Sequence, residues 1–95
     1  MIKAGIIGGA GYTAGELIRL LLNHEEVTID FVFSTSNAGN PVSHVHQDLT
    51  GSTNLVFTNT VNTGVDVVFL CLGHGNSKAF LNANKIENHT KIIDL

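Results

Sequence analysis

The segment Gly8-Gly9-Ala10-Gly11-Tyr12-Thr13-Ala14-Gly15 constrains this chain more than any other. Five of the ten glycines fall within the first fifteen residues, so the demand for bare backbone is concentrated there. Before it, residues 2–8 are a short apolar run of the kind that forms a buried strand. After it, residues 12–23 read as a helix: Leu17, Leu20, Leu21 and His24 fall at helical spacing, and Ile18 and Leu22 widen the stripe. A bare turn between strand and helix lets backbone N–H groups approach an anion. The positive end of the helix dipole then faces that anion. Two alignments fit a dinucleotide fingerprint with a final small residue, Gly9-x-Gly11-x-x-Ala14 and the looser Gly8-x-x-Gly11-x-x-Ala14.

The remaining pattern repeats the strand and helix alternation. Residues 27–34 are β-branched and aromatic, a strand by composition. Residues 35–54 are polar and small, with turn formers at Asn37, Gly39, Asn40, Pro41 and Gly51. A short helix is expected near residues 43–49, because long structureless connections are uncommon. Residues 55–58 suit a brief strand and 66–72 a buried one, residues 76–85 suit a helix, and 90–95 a last strand. This order predicts an α/β fold: a Rossmann-like, doubly wound, mostly parallel sheet. The apolar ending Lys91-Ile92-Ile93-Asp94-Leu95 is read as a sheet cut at its C-terminal strand, so residues 1–95 are expected to be one dinucleotide-binding domain of a longer protein.

Composition narrows the partners. Hydrophobic residues at 43% exclude a disordered chain. A net charge of −3 without any basic cluster argues against nucleic acid. No apolar run approaches the roughly 20 residues of a membrane span, and the early glycines do not suit a signal peptide. One cysteine permits no internal disulfide, so the expected setting is the cytoplasm.

Cofactor preference is written at the end of the second strand. NAD sites usually carry an acid about 20 residues past the glycines, bonded to the ribose 2′-hydroxyl. Here Ser34, Thr35 and Ser36 stand instead, and Asp30 lies too early. Hydroxyls donate to a 2′-phosphate that a carboxylate would repel, which favours NADP. Leu72 ends the 66–72 strand and His74 follows it, at the carboxyl end where ligands sit in open α/β sheets. Asn76 and Ser77 also suit a helix cap there. His44-x-His46 lacks a third metal ligand, so a solvated loop is expected and no metal site. Cys71, in a buried strand without charged neighbours, reads as a small hydrophobe rather than a nucleophile.

Together these residues resemble the N-acetyl-gamma-glutamyl-phosphate reductase family. Gly11-Tyr12-Thr13 with Glu16-Leu17 and Leu20-Leu21-Leu22 is similar to its nucleotide loop and first helix. Ser36-Asn37-Ala38-Gly39 with Pro41-Val42-Ser43 is similar to the segment after its second strand. Asp66-Val67-Val68-Phe69-Leu70 leading to His74-Gly75 and Ser77 is similar to its fourth-strand signature. The chain departs from that pattern at Ala14, where the family usually has glycine, at Gly73 (proline) and at Asn40 (lysine).

The resemblance implies an NADP-dependent oxidoreductase of arginine biosynthesis that reduces an N-acylated glutamyl phosphate to its semialdehyde and releases phosphate. It further implies a cysteine thiolate that forms a thioester before hydride arrives, a part played by a second, catalytic and dimerisation domain. This chain is then expected to hold cofactor through Gly8, Gly9, Gly11, Tyr12, Thr13, Ala14, Ser34, Ser36, Leu72 and His74, to contain no catalytic residue, and to be inactive alone. The whole protein is expected to be a homo-oligomer acting on a small molecule. Two other readings stand beside this one: the cofactor domain of another semialdehyde dehydrogenase of the aspartate type, and a non-catalytic nucleotide-sensing or CoA-binding module.

Overall fold

The computed structural model describes residues 1–73 and 75–95. Successive elements are β1 (Ile2–Ile7), α1 (Tyr12–Leu22), β2 (Val27–Phe33), β3 (Phe57–Thr58), β4 (Val67–Leu70), α2 (Asn76–Ala83) and β5 (Lys91–Asp94). The strands form one sheet in the order β3-β2-β1-β4-β5, and every pairing is parallel. This is the doubly wound sheet expected from the alternation of strands and helices.

Consecutive residues of a strand point to opposite faces, and β1 feeds two cores accordingly. Ile6 belongs to a cluster with Ala14 and Ile18 of α1, Ile29 and Val32 of β2, and Phe57. Ile7 belongs to the other, with Phe31, Val65, Val68 and Leu70, against which Phe80 and Leu81 of α2 pack. Phe33 and Phe80 meet edge to face at 5.7 Å, anchoring α2 to β2. The helices therefore lie on opposite faces, and the chain switches faces between β1 and β4.

Strict alternation would have placed Ile29, Phe31 and Phe33 together. Instead the β1–β2 register slips between Ala4↔Ile29 and Gly5↔Phe31, which leaves Asp30 as the extra residue of a bulge. Ile29 and Val32 then both face α1, while Phe31 and Phe33 face α2. Gly5 makes room for the shift: the Phe31 ring occupies the space a Cβ there would need.

The helical stripe is centred differently from the sequence expectation. Ala14 and Ile18 are fully buried, Leu17, Leu21 and Leu22 partly so, whereas Leu20 is 62% exposed and His24 lies in solvent. The close approach of α1 to the sheet favours the smaller Ala14 at its centre and rotates Leu20 outward. Residues 35–54 hold two short 3-10 turns, Val42–His44 and Gln47–Leu49, in place of one helix. The connection is ordered by Val42 and Leu49, both buried, and by backbone bonds to the segment around β3, such as Val42 N–H to Leu55 O at 2.9 Å. β5 forms an edge, with Ile92 and Ile93 exposed.

Ile18→Ala should cost about 2–5 kcal/mol in urea unfolding, the usual range for truncating a fully buried aliphatic side chain. Leu20→Ala should stay within about 0.5 kcal/mol, as expected at an exposed site.

Candidate functional site

Three strand ends converge on the glycine turn. Gly8 and Gly9 both donate their N–H to the carbonyl of Phe33 at the end of β2, at 3.1 and 2.9 Å. Cys71, just past β4, donates its N–H to Ile7 O at 2.8 Å. The turn thus sits where the sheet switches direction, between β2 and β4, the place where open α/β sheets bind ligands.

The glycines divide the work. Gly8 has φ +80°, and a Cβ there would stand 2.6 Å from the carbonyl oxygen of Cys71, so this residue makes the reversal and only glycine fits. A Cβ on Gly9 would collide with Val32. Gly11 differs: its φ is −79° and the nearest atom to an added Cβ is Gly8 O at 3.7 Å. Neither conformation nor packing requires glycine at 11, and its bare Cα opens the surface beside the helix start. The positive φ falls on Gly8, which favours the Gly8-x-x-Gly11-x-x-Ala14 alignment.

Helix α1 begins without a cap. Gly11 provides no side chain, and no acidic residue stands in the first turn. Gly15 N–H to Gly11 O is the first bond of the helix, at 3.1 Å. Among the described residues, the N–H groups of Ala10, Tyr12, Thr13 and Ala14 have no partner outside regular helix bonding, and the first helical N–H groups have none within it. Tyr12 and Thr13 are exposed, and the Ala14 side chain is buried, so Ala14 offers the site only its backbone. Such an array suits a phosphate or another compact anion.

At the end of β2, Ser34 is buried and Ser36 exposed. Asn37 Nδ2 donates to both hydroxyl oxygens, at 3.3 Å each. Each serine oxygen therefore accepts one bond, and among the described residues neither hydroxyl donates one. Asp30 lies on the bulge and accepts a bond from Asn62 at 2.7 Å, away from the strand end. Leu72 packs in the α2-side core near Gly8; it forms the wall of the turn. His74 lies outside the described residues. A cavity of about 410 Å³ is lined by Gly73, Gly75, Ser77, Lys78, Asp94 and Leu95. Ser77 donates to Asp94 at 2.9 Å, joining α2 to β5.

His46 corrects the expectation of a solvated loop. It is buried, its Nε2 lies 2.6 Å from Gly9 O, and its ring rests against Phe57. His44, by contrast, is exposed. Among the described residues no cluster of metal ligands forms. Sequence pattern gave no signal for His46, because its partner is a backbone carbonyl distant along the chain. Cys71 is half-buried, and burial pushes its thiol pKa up. A thiol shifted in that direction holds its proton near neutral pH, which is opposite to what a nucleophile needs. No helix among the described residues is long and apolar enough to cross a membrane.

Residues 3–95 match the family model described as semialdehyde dehydrogenase, NAD binding domain. Two relatives align over the whole chain: an N-acetyl-gamma-glutamyl-phosphate reductase from Christiangramia forsetii, 63% identical, and one from Flavobacterium johnsoniae, 61% identical. The chain spans 30% and 29% of their respective lengths. Among solved structures, aspartate semialdehyde dehydrogenase with NADP from Candida albicans superposes with a TM-score of 0.74 at 22% identity. That match covers 99% of this chain and 29% of the other, and it establishes the shared fold.

Gly8→Ala should destabilise by at least about 2 kcal/mol, since both the left-handed φ and a backbone clash oppose it. Gly11→Ala should cost less than about 1 kcal/mol, the scale of an N-cap change; paired thermal melts compare the two. Alkylation of Cys71 near neutral pH should run slower in the folded chain than in urea, because its raised pKa reduces the thiolate. Raising the pH should narrow that gap.

Proposed function

The chain belongs to the semialdehyde dehydrogenase NAD-binding domain family, and from that premise we propose that it is the NADP-binding part of an N-acetyl-gamma-glutamyl-phosphate reductase. The observation that carries this reading is the uncapped start of α1, where unpartnered N–H groups and the bare Gly11 face outward at the switch point of the sheet. A pyrophosphate fits such a cradle: it accepts from several N–H groups at once and gains from the helix dipole. In this reading Gly8 and Gly9 shape the turn, and Gly11, Tyr12, Thr13 and Ala14 present the backbone. Leu72 walls the crevice, and His74, by its place in the sequence, is proposed as a further cofactor contact.

Ser34 and Ser36 supply the preference for NADP. Asn37 occupies one acceptor site on each hydroxyl, and among the described residues neither hydroxyl donates a bond, which leaves both protons for a 2′-phosphate. No acid at this strand end would repel it. Bound there, the cofactor supplies the hydride that reduces an acyl group.

The substrate proposed for the whole protein is an N-acylated glutamyl phosphate, reduced to its semialdehyde with release of phosphate. Support for that choice over an aspartyl substrate is the 63% identity to a reductase of that name, against 22% for the aspartate enzyme. The whole protein is proposed to be a cytoplasmic homo-oligomer of arginine biosynthesis whose catalytic cysteine lies in another domain. Cys71 is not that residue.

Titration of the chain with NADPH and with NADH, followed by nicotinamide fluorescence, tests the cofactor reading. NADPH should bind at least about tenfold tighter, a difference of ~1.4 kcal/mol. Ser36→Asp should erase that preference by setting a carboxylate against the 2′-phosphate. Equal affinities in the unsubstituted chain would sink the argument from Ser34 and Ser36.

A further inference from the structure

We propose that His46 is the positioning residue of the glycine turn, fixing the Gly9–Ala10 peptide so that the Ala10 N–H faces the bound pyrophosphate. The inference rests on the nucleotide reading above and adds a residue from a part of the chain outside the glycine motif.

Hydrogen bonding sets the first constraint. Gly9 O can only accept, so the imidazole nitrogen 2.6 Å away must carry a proton and donate it. A trans peptide is planar, with its carbonyl and the following N–H pointing in opposite directions. Drawing Gly9 O toward His46 therefore turns the Ala10 N–H away from His46. That N–H has no partner among the described residues, and it adjoins the free N–H groups of Tyr12, Thr13 and Ala14.

Packing sets the second. His46 is 8% exposed. Its Nδ1 stands 2.5 Å from where a Cβ of Gly15 would lie, and its ring centroid is 6.3 Å from that of Phe57. The same ring thus touches the turn at Gly9 and the first turn of α1 at Gly15. Rotating the peptide plane would break the bond and leave the buried imidazole N–H without its acceptor, which is costly. The connection between β2 and β3 holds the ring through Val42 O, which accepts the backbone N–H of His46 at 3.0 Å. A segment that reads as a plain linker is in this way built into the anion cradle.

His46→Phe keeps the ring and removes the donor, and His46→Gln keeps a donor. Two ligands separate positioning from mere stability: NADPH, which spans the turn, and adenosine 2′-phosphate, which lacks the pyrophosphate. His46→Phe should weaken NADPH about tenfold or more while changing adenosine 2′-phosphate less than about twofold, and His46→Gln should restore NADPH to within about threefold. Equal losses for both ligands, following the folded fraction in a thermal melt, would overturn the proposal.

Amide NMR of the unsubstituted chain gives a test independent of whether His46→Phe folds. On adding NADPH, the Ala10 amide should move together with those of Tyr12, Thr13 and Ala14. An Ala10 amide that stays still while its neighbours move overturns the role of His46 alone. Absence of NADPH binding by the unsubstituted chain overturns the nucleotide reading, and this proposal with it.

Discussion

The chain must reverse direction immediately after β1 while pressed against the carbonyl of Cys71, and the rest of the molecule is arranged around that reversal. Gly8 makes the turn at φ +80°, where any side chain would strike the backbone leaving β4. Because β1 is central, both cores depend on it: Ile6 serves one face and Ile7 the other. A larger residue at position 8 would push β4 from β1, and the registers that seat Val68 and Leu70 against Ile7 would open with it. The turn is a feature of the fold before it is a feature of a site.

The N–H groups of the turn divide between these two purposes. Those of Gly8 and Gly9 are consumed by Phe33 O and hold the strand ends together. Those of Ala10, Tyr12, Thr13 and Ala14 are left without partners among the described residues. Unmade hydrogen bonds are tolerable only where water or a ligand reaches them, and the exposure of Tyr12 and Thr13 shows that this surface is open. Stability and binding are therefore written in different residues of one motif, which is why Gly8 and Gly11 respond differently to the same added methyl group.

Much of this was legible in the sequence because the responsible forces are local. The clustered glycines, the apolar runs and the helical spacing after Tyr12 placed β1, α1, β2, β4, α2 and β5 within a residue or two of their observed limits. The parallel, doubly wound character of the sheet followed from the alternation of strands and helices. What escaped was settled by contacts between distant residues. The bulge at Asp30 arises because Phe31 must lie over Gly5, and no count of alternating residues contains that fact. Leu20 has the spacing of a core residue yet points outward, since the close approach of α1 centres the contact on Ala14 and Ile18. His46 looked like one of a pair of loop histidines. Its burial depends on Gly15, whose missing side chain makes the space for the ring.

The sign of the charge presents an apparent conflict, because a chain of net charge −3 is proposed to bind a polyanion. Distance resolves it. Exposed charges are largely screened beyond about 8 Å at physiological ionic strength, so the field at the turn is set by its nearest groups. There the start of α1 contributes roughly half a positive elementary charge, and no acid stands in its first turn. Glu16, the nearest helical acid, is engaged by Arg19 one turn along, which balances its charge locally. The serine pair at the end of β2 adds hydroxyl donors without adding a carboxylate. The excess acid of the chain lies elsewhere, at positions such as Glu25, Glu26 and Glu87 on the exposed surface. The placement of its few charges, rather than their sum, decides which ligands this turn accepts.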